Sequence, residues 1–188
     1  LACANNITRS ARHMAVMVSD LLELVRSRLG KSLPIDPKPM DLADAAHAAI
    51  AEACAGNPEC DPTVRVEGDT RGVWDAGRLG QLLQNLIGNA LQHGANKRDV
   101  TVTLNGEPAA VRITVHNYGA PIPANAIGTI FDPLVRSADE ELGQPSTSLG
   151  LGLFIVKEVV DAHHGTIEVS SNEADGTLFT VVLPRNPL

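Results

Sequence analysis

Asp75–Gly94, DAGRLGQLLQNLIGNALQHG, is the stretch whose reading decides the fold. At helical period Leu79, Leu82, Leu83, Leu86, Ile87, Ala90 and Leu91 fall on one broad apolar face, which predicts an amphipathic helix packed on a core. Asn85 and Asn89 lie one turn apart on that helix, with His93 one further turn on, along a line off the centre of the apolar face. Asn is a mediocre helix former, and its amide needs partners wherever water is excluded. Two amides and an imidazole in a row are an odd choice for a half-buried helix, and on this stretch alone they read either as a solvated polar flank or as a ligand-facing line.

The composition narrows the rest. A chain of 188 residues has room for one ordinary domain and an accessory element. Hydrophobic residues make up 44% but aromatic ones only 3%, so aliphatic side chains and alanine must fill the core. A net charge of −7 argues against nucleic acid or an anionic membrane as the main partner. No apolar run approaches the roughly 20 residues that span a bilayer, and no basic segment leads into an apolar one at the N-terminus. The expectation is a soluble cytoplasmic protein with no membrane contact in this chain. Cys3, Cys54 and Cys60 are odd in number and lack CxxC spacing, so free thiols are expected rather than zinc ligands or a disulfide.

Upstream of the asparagine helix, Ile7, Ala11, Met14, Val18, Leu21 and Val25 alternate at intervals of four and three, the seam of a coiled coil or helical bundle. Gly30, Pro34, Pro37 and Pro39 then end the helix, so residues 1–33 read as one helical element and 34–40 as a semi-rigid linker. A helix held off from the following domain must cover its seam elsewhere, which predicts a homodimer through residues 1–29. From Asp41 the pattern gives a capped helix to about Gly56, a strand at Thr63–Glu67, and a turn over 68–72 leading into the asparagine helix. Val100–Leu104 and Val111–Val115 flank Asn105-Gly106 as one hairpin, and Thr166–Ser170 with Thr177–Leu183 form another around Asp175-Gly176. Between them lies a helix over Leu151–His164. Hairpins interleaved with helices predict an α+β sandwich: a mixed, mostly antiparallel sheet covered by helices on one face, over residues 41–188.

Three further segments share the asparagine helix's chemistry. Val115-His116-Asn117-Tyr118-Gly119-Ala120-Pro121-Ile122-Pro123 puts a polar side chain and a glycine where a strand ends. Ile130-Phe131-Asp132-Pro133-Leu134-Val135-Arg136 is a compact apolar turn closed by a cation. Ser148-Leu149-Gly150-Leu151-Gly152-Leu153 sets two glycines at a helix entry, whose free N–H groups can receive an anion. In this order the four segments resemble the N, G1, F and G2 boxes of the ATP-binding domain of sensor histidine kinases, in the Bergerat-fold superfamily of gyrase B, the Hsp90 chaperones and MutL. Residues 1–33 resemble the second helix of the dimerisation and phosphotransfer hairpin that precedes that domain.

The resemblance implies ATP and Mg²⁺ as cofactors, with the γ-phosphoryl passing to a hairpin histidine and then to a response-regulator receiver. An upstream sensory domain is implied in the parent protein. Asn89 would ligate Mg²⁺ through its amide oxygen, and Asn85 would orient the metal, its waters or the attacking imidazole. His93 and Ile122 would lie beside the adenosine, Asn117 would accept the adenine amino hydrogen, and Gly119 would make room for the ring. Arg136 would balance phosphoryl charge. Residues 137–149 would be the ATP lid, with Ser148, Leu149, Gly150, Leu151 and Gly152 closing over the phosphates.

Three departures stand out. Asn117-x-Gly119-x-Pro121 replaces the usual Asp-x-Gly-x-Gly, in a form similar to phytochrome-type kinases; an uncharged acceptor weakens the bond, by about 1 to 2 kcal/mol. Gln92 stands where many relatives have a phosphate-reaching lysine, and Ser148 where a lid glycine is usual. No histidine matches the phosphoacceptor sequence, since His13 has the wrong flanks and His47, His116, His163 and His164 fall inside the catalytic domain. The expectation is therefore a kinase fragment without its phosphoacceptor, the alternative being a degenerate dimerisation or docking module with little ATP binding.

Overall fold

The computed structural model describes residues 2–55, 57, 59–97, 99–135 and 149–186, with the side chains of the first helix described from Met14 onward, Val16 excepted. The elements run α1 (Ala2–Arg28), β1 (Lys38–Asp41), α2 (Leu42–Ala53), β2 (Thr63–Glu67), β3 (Arg71–Trp74), α3 (Ala76–His93), β4 (Thr101–Gly106), β5 (Ala110–Asn117), α4 (Ala124–Ile127), α5 (Gly152–Ala162), β6 (Thr166–Asn172) and β7 (Gly176–Pro184). Strands β2-β4-β5-β7-β6 form a five-stranded sheet in which only β2 and β4 pair in parallel. Alternation along β5 and β7 turns Val111, Ile113, Val115, Phe179, Val181 and Leu183 inward. There they meet α3 and α5 in one core. This is the helix-covered mixed sheet that the pattern predicts.

The asparagine helix forms because its ends and its face agree. The Asp75 carboxylate caps it by accepting from the Arg78 N–H at 3.0 Å. Leu79, Leu82, Leu83, Leu86, Ile87 and Ala90 are all buried. Each such leucine stabilises the fold by roughly 1.5–3 kcal/mol.

Four features depart from the sequence reading. The linker ends early, because Lys38–Asp41 pairs antiparallel with Arg71–Trp74, a stretch read as a turn and its exit. Pro39 is tolerated in that ladder because its partner Val73 sends its N–H to the Arg185 carbonyl. The first hairpin turns at 107–109, where Glu107 N–H donates to the Ala110 carbonyl, and not at Asn105-Gly106. Gly106 serves close packing instead: a Cβ there would stand 2.0 Å from the Asp69 carbonyl oxygen.

Cys54 and Cys60 are joined in a disulfide, which overturns the expectation of free thiols. The chain leaving α2 doubles back through Asn57 N–H to Cys54 O and Cys60 N–H to Asn57 O, bringing the two Cα atoms to 5.3 Å. Finally, α1 is not held off from the domain. Asp20, Glu23, Leu24 and Ser27, spaced to share one helix face, lie on α3 and α5: Gln81 donates to Asp20, Arg78 pairs with Glu23, and Ser27 donates to Glu158. Met14, Val18, Leu21, Leu22, Val25 and Leu29 stay exposed on the other side, so most of the coiled-coil seam is uncovered.

Candidate functional site

The site is built at the edge of α3, where its polar line leaves the core. Asn85 and Asn89 are half-buried there, and Gln92 and His93 are exposed on the last turn. The helix is anchored at its other end by two contacts to Asp75. Its carboxylate accepts from Asp36 N–H at 2.8 Å, and its own N–H donates to His163 Nε2 at 3.1 Å. Burial works to raise the Asp75 carboxyl, but the N–H groups of Asp36, Arg78 and Gly77, with the Arg78 charge, outweigh it and hold it below the ordinary value of 3.8.

Two separate segments are brought to this edge. The first turn of α5 faces Asn85, since a Cβ on Gly152 would stand 3.4 Å from Asn85 Oδ1. Gly150, at φ +68°, holds a left-handed turn before it, and its carbonyl accepts from Leu134 N–H at 3.0 Å, tying the apolar turn 130–135 to the glycine pair. Leu149 is exposed, whereas Leu151 is buried in the core. Arg136 and Ser148, with the rest of the expected lid up to Leu149, lie outside the described residues.

At the far end of α3, Gly119 bridges to Gly94, and a Cβ on Gly119 would meet the His93 carbonyl oxygen at 2.2 Å. Its lack of a side chain is thus required by the close approach of the two backbones, whatever room it also leaves for a ligand. Asn117, 4% exposed, lies beside this junction: a Cβ on Gly94 would stand 3.7 Å from its Cβ. Asn117 pairs across the sheet with Thr177, and Thr177 with Ser171. The row inward of it is apolar, Val115–Phe179–Val169. Thr177 Oγ1 and Ser171 Oγ are 2.7 Å apart, and Ser171 also accepts from Ile122 N–H at 2.9 Å. Thr177 and Ser171 belong to this polar row, and the sequence reading passed over them. The sequence signal is faint: Thr177 heads the alternating series Phe179, Val181 and Leu183, and strand pairing is needed to see it beside Asn117.

A groove of about 350 Å³ elsewhere on the surface opens on the flank of α3 that carries Gly80 and Gln84. Its lining of alanines with Asp44 and Glu52 offers an anionic ligand nothing. The groups that suit such a ligand are strung along the other edge of α3: backbone N–H groups at a helix entry, two amides and an uncharged polar row.

The sequence profile of the histidine kinase-, DNA gyrase B- and HSP90-like ATPases matches residues 74–187, from the strand before α3 almost to the C-terminus. The chain belongs to this family. Among its relatives are the bacteriophytochrome of Pseudomonas aeruginosa, 29% identical over 95% of the chain, and the probable sensor histidine kinase TcrY of Mycobacterium tuberculosis, 33% identical over 96%. The chain spans 24% and 37% of the length of these two relatives. The solved structure of full-length ShkA in complex with AMPPNP superposes with a TM-score of 0.72 at 25% identity, covering 96% of the chain and 38% of ShkA. The fold is that of the histidine kinase ATP-binding catalytic domain.

Proposed function

We propose that the chain is the ATP-binding and phosphoryl-transferring part of a sensor histidine kinase. The observation that carries this reading is the placement of Gly152 against Asn85, which sets the helix entry of α5 over the amide line of α3. Such an arrangement presents N–H groups to phosphate oxygens on one side and amide oxygens on the other. The residues present fit magnesium: the half-buried Asn89 amide supplies a hard, neutral oxygen, leaving most of the shell to water and phosphate. The ion supplies neutralisation of triphosphate charge when bound. Asn117 and Thr177 hold the base, Asn85 orients the attacking imidazole, and Arg136 offsets charge on the transferring phosphoryl group.

The substrate pair is ATP and a histidine on the dimerisation hairpin. The γ-phosphorus–oxygen bond breaks as a phosphorus–nitrogen bond forms, ADP leaves, and an aspartate of a receiver domain takes the phosphoryl group next. The exposed seam of α1 supports a homodimer partner, packing as one side of a helical bundle. Among the described residues no helix is long and apolar enough to cross a membrane, which supports placing this part of the protein in water.

Calorimetric titration with ATP in Mg²⁺, repeated on Asn89→Ala, tests the reading. Saturable binding that weakens about tenfold or more in the variant is expected. No binding at millimolar ATP would leave a docking module. Transfer of labelled γ-phosphate in trans to a separate hairpin bearing the phosphoacceptor histidine tests turnover.

A further inference from the structure

The polar row at the end of the sheet has no fixed polarity. A carboxylate, the usual group at position 117 in the family, only accepts hydrogen bonds, so it selects a base that donates. Asn117 carries an oxygen that accepts and a nitrogen that donates. Among the described residues its nitrogen is held by a contact of 3.5 Å to the Tyr118 carbonyl, too long to fix which end of the amide faces outward. Beside it, the Thr177 and Ser171 hydroxyls share one hydrogen bond at 2.7 Å that either can donate. The fixed Ile122 N–H occupies one lone pair of Ser171 and leaves its proton free to turn.

Two bonding schemes toward a base follow from these three side chains. When Ser171 donates to Thr177, the Thr177 proton is free for an acceptor, and Asn117 can present its oxygen to a donor. That scheme matches a 6-aminopurine, with its exocyclic amino group and N1 lone pair. When Thr177 donates to Ser171, a Thr177 lone pair is free for a donor, and Asn117 can present its nitrogen to an acceptor. That scheme matches a 6-oxopurine, with its O6 and N1–H. The contact to N1 is direct or through one water. Both schemes pair the Asn117 and Thr177 groups that meet the base, and an unpaired group on that edge is the usual source of strong discrimination.

We propose that the Asn117–Thr177–Ser171 row admits 6-oxopurine as well as 6-aminopurine nucleoside triphosphates, with Asn117 as the specificity-determining residue. This inference rests on the nucleotide-binding reading above and extends it to the class of base. Inosine triphosphate is the probe, because it has the 6-oxo edge without the 2-amino group that adds bulk in guanine.

Displacement of a fluorescent ATP analogue by ATP and by inosine triphosphate, in Mg²⁺ and on the whole chain, gives the ratio of the two affinities. A ratio within about tenfold is expected for the wild type. In Asn117→Asp the carboxylate would face O6 with no proton between them, so the ratio should swing toward ATP by a further factor of about ten or more. A wild-type preference for ATP beyond about a hundredfold, or an unchanged ratio in Asn117→Asp, overturns the proposal. Should circular dichroism show the variant unfolded, the wild-type ratio decides alone. Displacement by neither nucleotide overturns the nucleotide-binding reading itself, an outcome distinct from binding that is strictly selective.

Discussion

Gly152, the first residue of α5, faces Asn85 on α3, with 3.4 Å between a Cβ built on the glycine and the Asn85 amide oxygen. That distance is ordinary contact, and Gly152 has no left-handed φ, so the fold does not require glycine there. The space in front of Asn85 does. Gly152→Ala should leave stability unchanged or raise it by about 0.4–1 kcal/mol through the unfolded chain. The methyl group would fill the line between the helix entry and the amide, so ATP affinity should fall about tenfold. A thermal melt and a nucleotide titration on the same sample separate the two effects.

The contact of α1 with the domain gives a second expectation. Glu23 is 8% exposed and paired with Arg78, and its Oε2 is buried without a hydrogen-bond partner among the described residues. Asp20 sits one turn away, its carboxyl raised by burial and by Glu23. Removing the guanidinium would leave two carboxylates facing a dry surface. Arg78→Ala should destabilise the docked helix by roughly 2 kcal/mol, less than a fully buried pair because Arg78 is partly exposed. Limited proteolysis in the 29–37 stretch should accelerate, while Glu23→Gln, which keeps a hydrogen-bonding oxygen and drops the charge, should cost less.

The elements that sequence made legible share one property, a pattern complete within a short window. The apolar period of α3, its Asp75 cap and the glycine pair at 150 and 152 each announce themselves within a few turns. What escaped needs residues far apart in the chain. Thr177 acquires meaning only when β7 lies beside Asn117, and Leu151 reads as a lid residue until packing puts its side chain in the core. Pro39 hides a strand because its missing donor is harmless only opposite Val73, whose N–H goes to Arg185. The seam of α1 suggested one partner, but its neighbouring face, Asp20 to Ser27, already has another.

The disulfide at the end of α2 supplies a third test. It closes a short loop, six residues apart in sequence, so chain-entropy arguments assign it roughly 2 kcal/mol. Reduction, or Cys54→Ser with Cys60→Ser, should lower the unfolding free energy by about that amount. The loop lines one surface groove with Leu91 and Gln92 on the last turn of α3, so reduction should also raise amide hydrogen exchange there. An unchanged melt with reductant, on a chain whose thiols titrate as one before and three after, would contradict the stabilising role.

Acid should unfold the domain in two stages, and His163 sets the first. It is fully buried at the end of α5, its Nδ1–H donating to the Val159 carbonyl at 2.8 Å while Nε2 accepts from Asp75 N–H at 3.1 Å. That pairing needs the neutral ring. Burial holds the imidazole below its ordinary 6.5, His164 pushes the same way, and the Val159 bond and Asp75 oppose them without prevailing. Above 6.5 the ring is neutral folded or unfolded and stability is flat with respect to this group. Below 6.5 the unfolded chain takes the proton first, so stability falls with pH by at most about 1.4 kcal/mol per pH unit until the folded ring also titrates. Asp75, held below 3.8, keeps its capping charge through that window and adds its own loss only in stronger acid. Urea unfolding at pH 7.5 and at successive steps down to about 5 should show the first decline in the wild type and not in His163→Gln, whose amide cannot titrate. Because His163 joins α5 to the cap of α3, the same protonation should loosen the Gly152–Asn85 contact and weaken nucleotide binding over the same pH range.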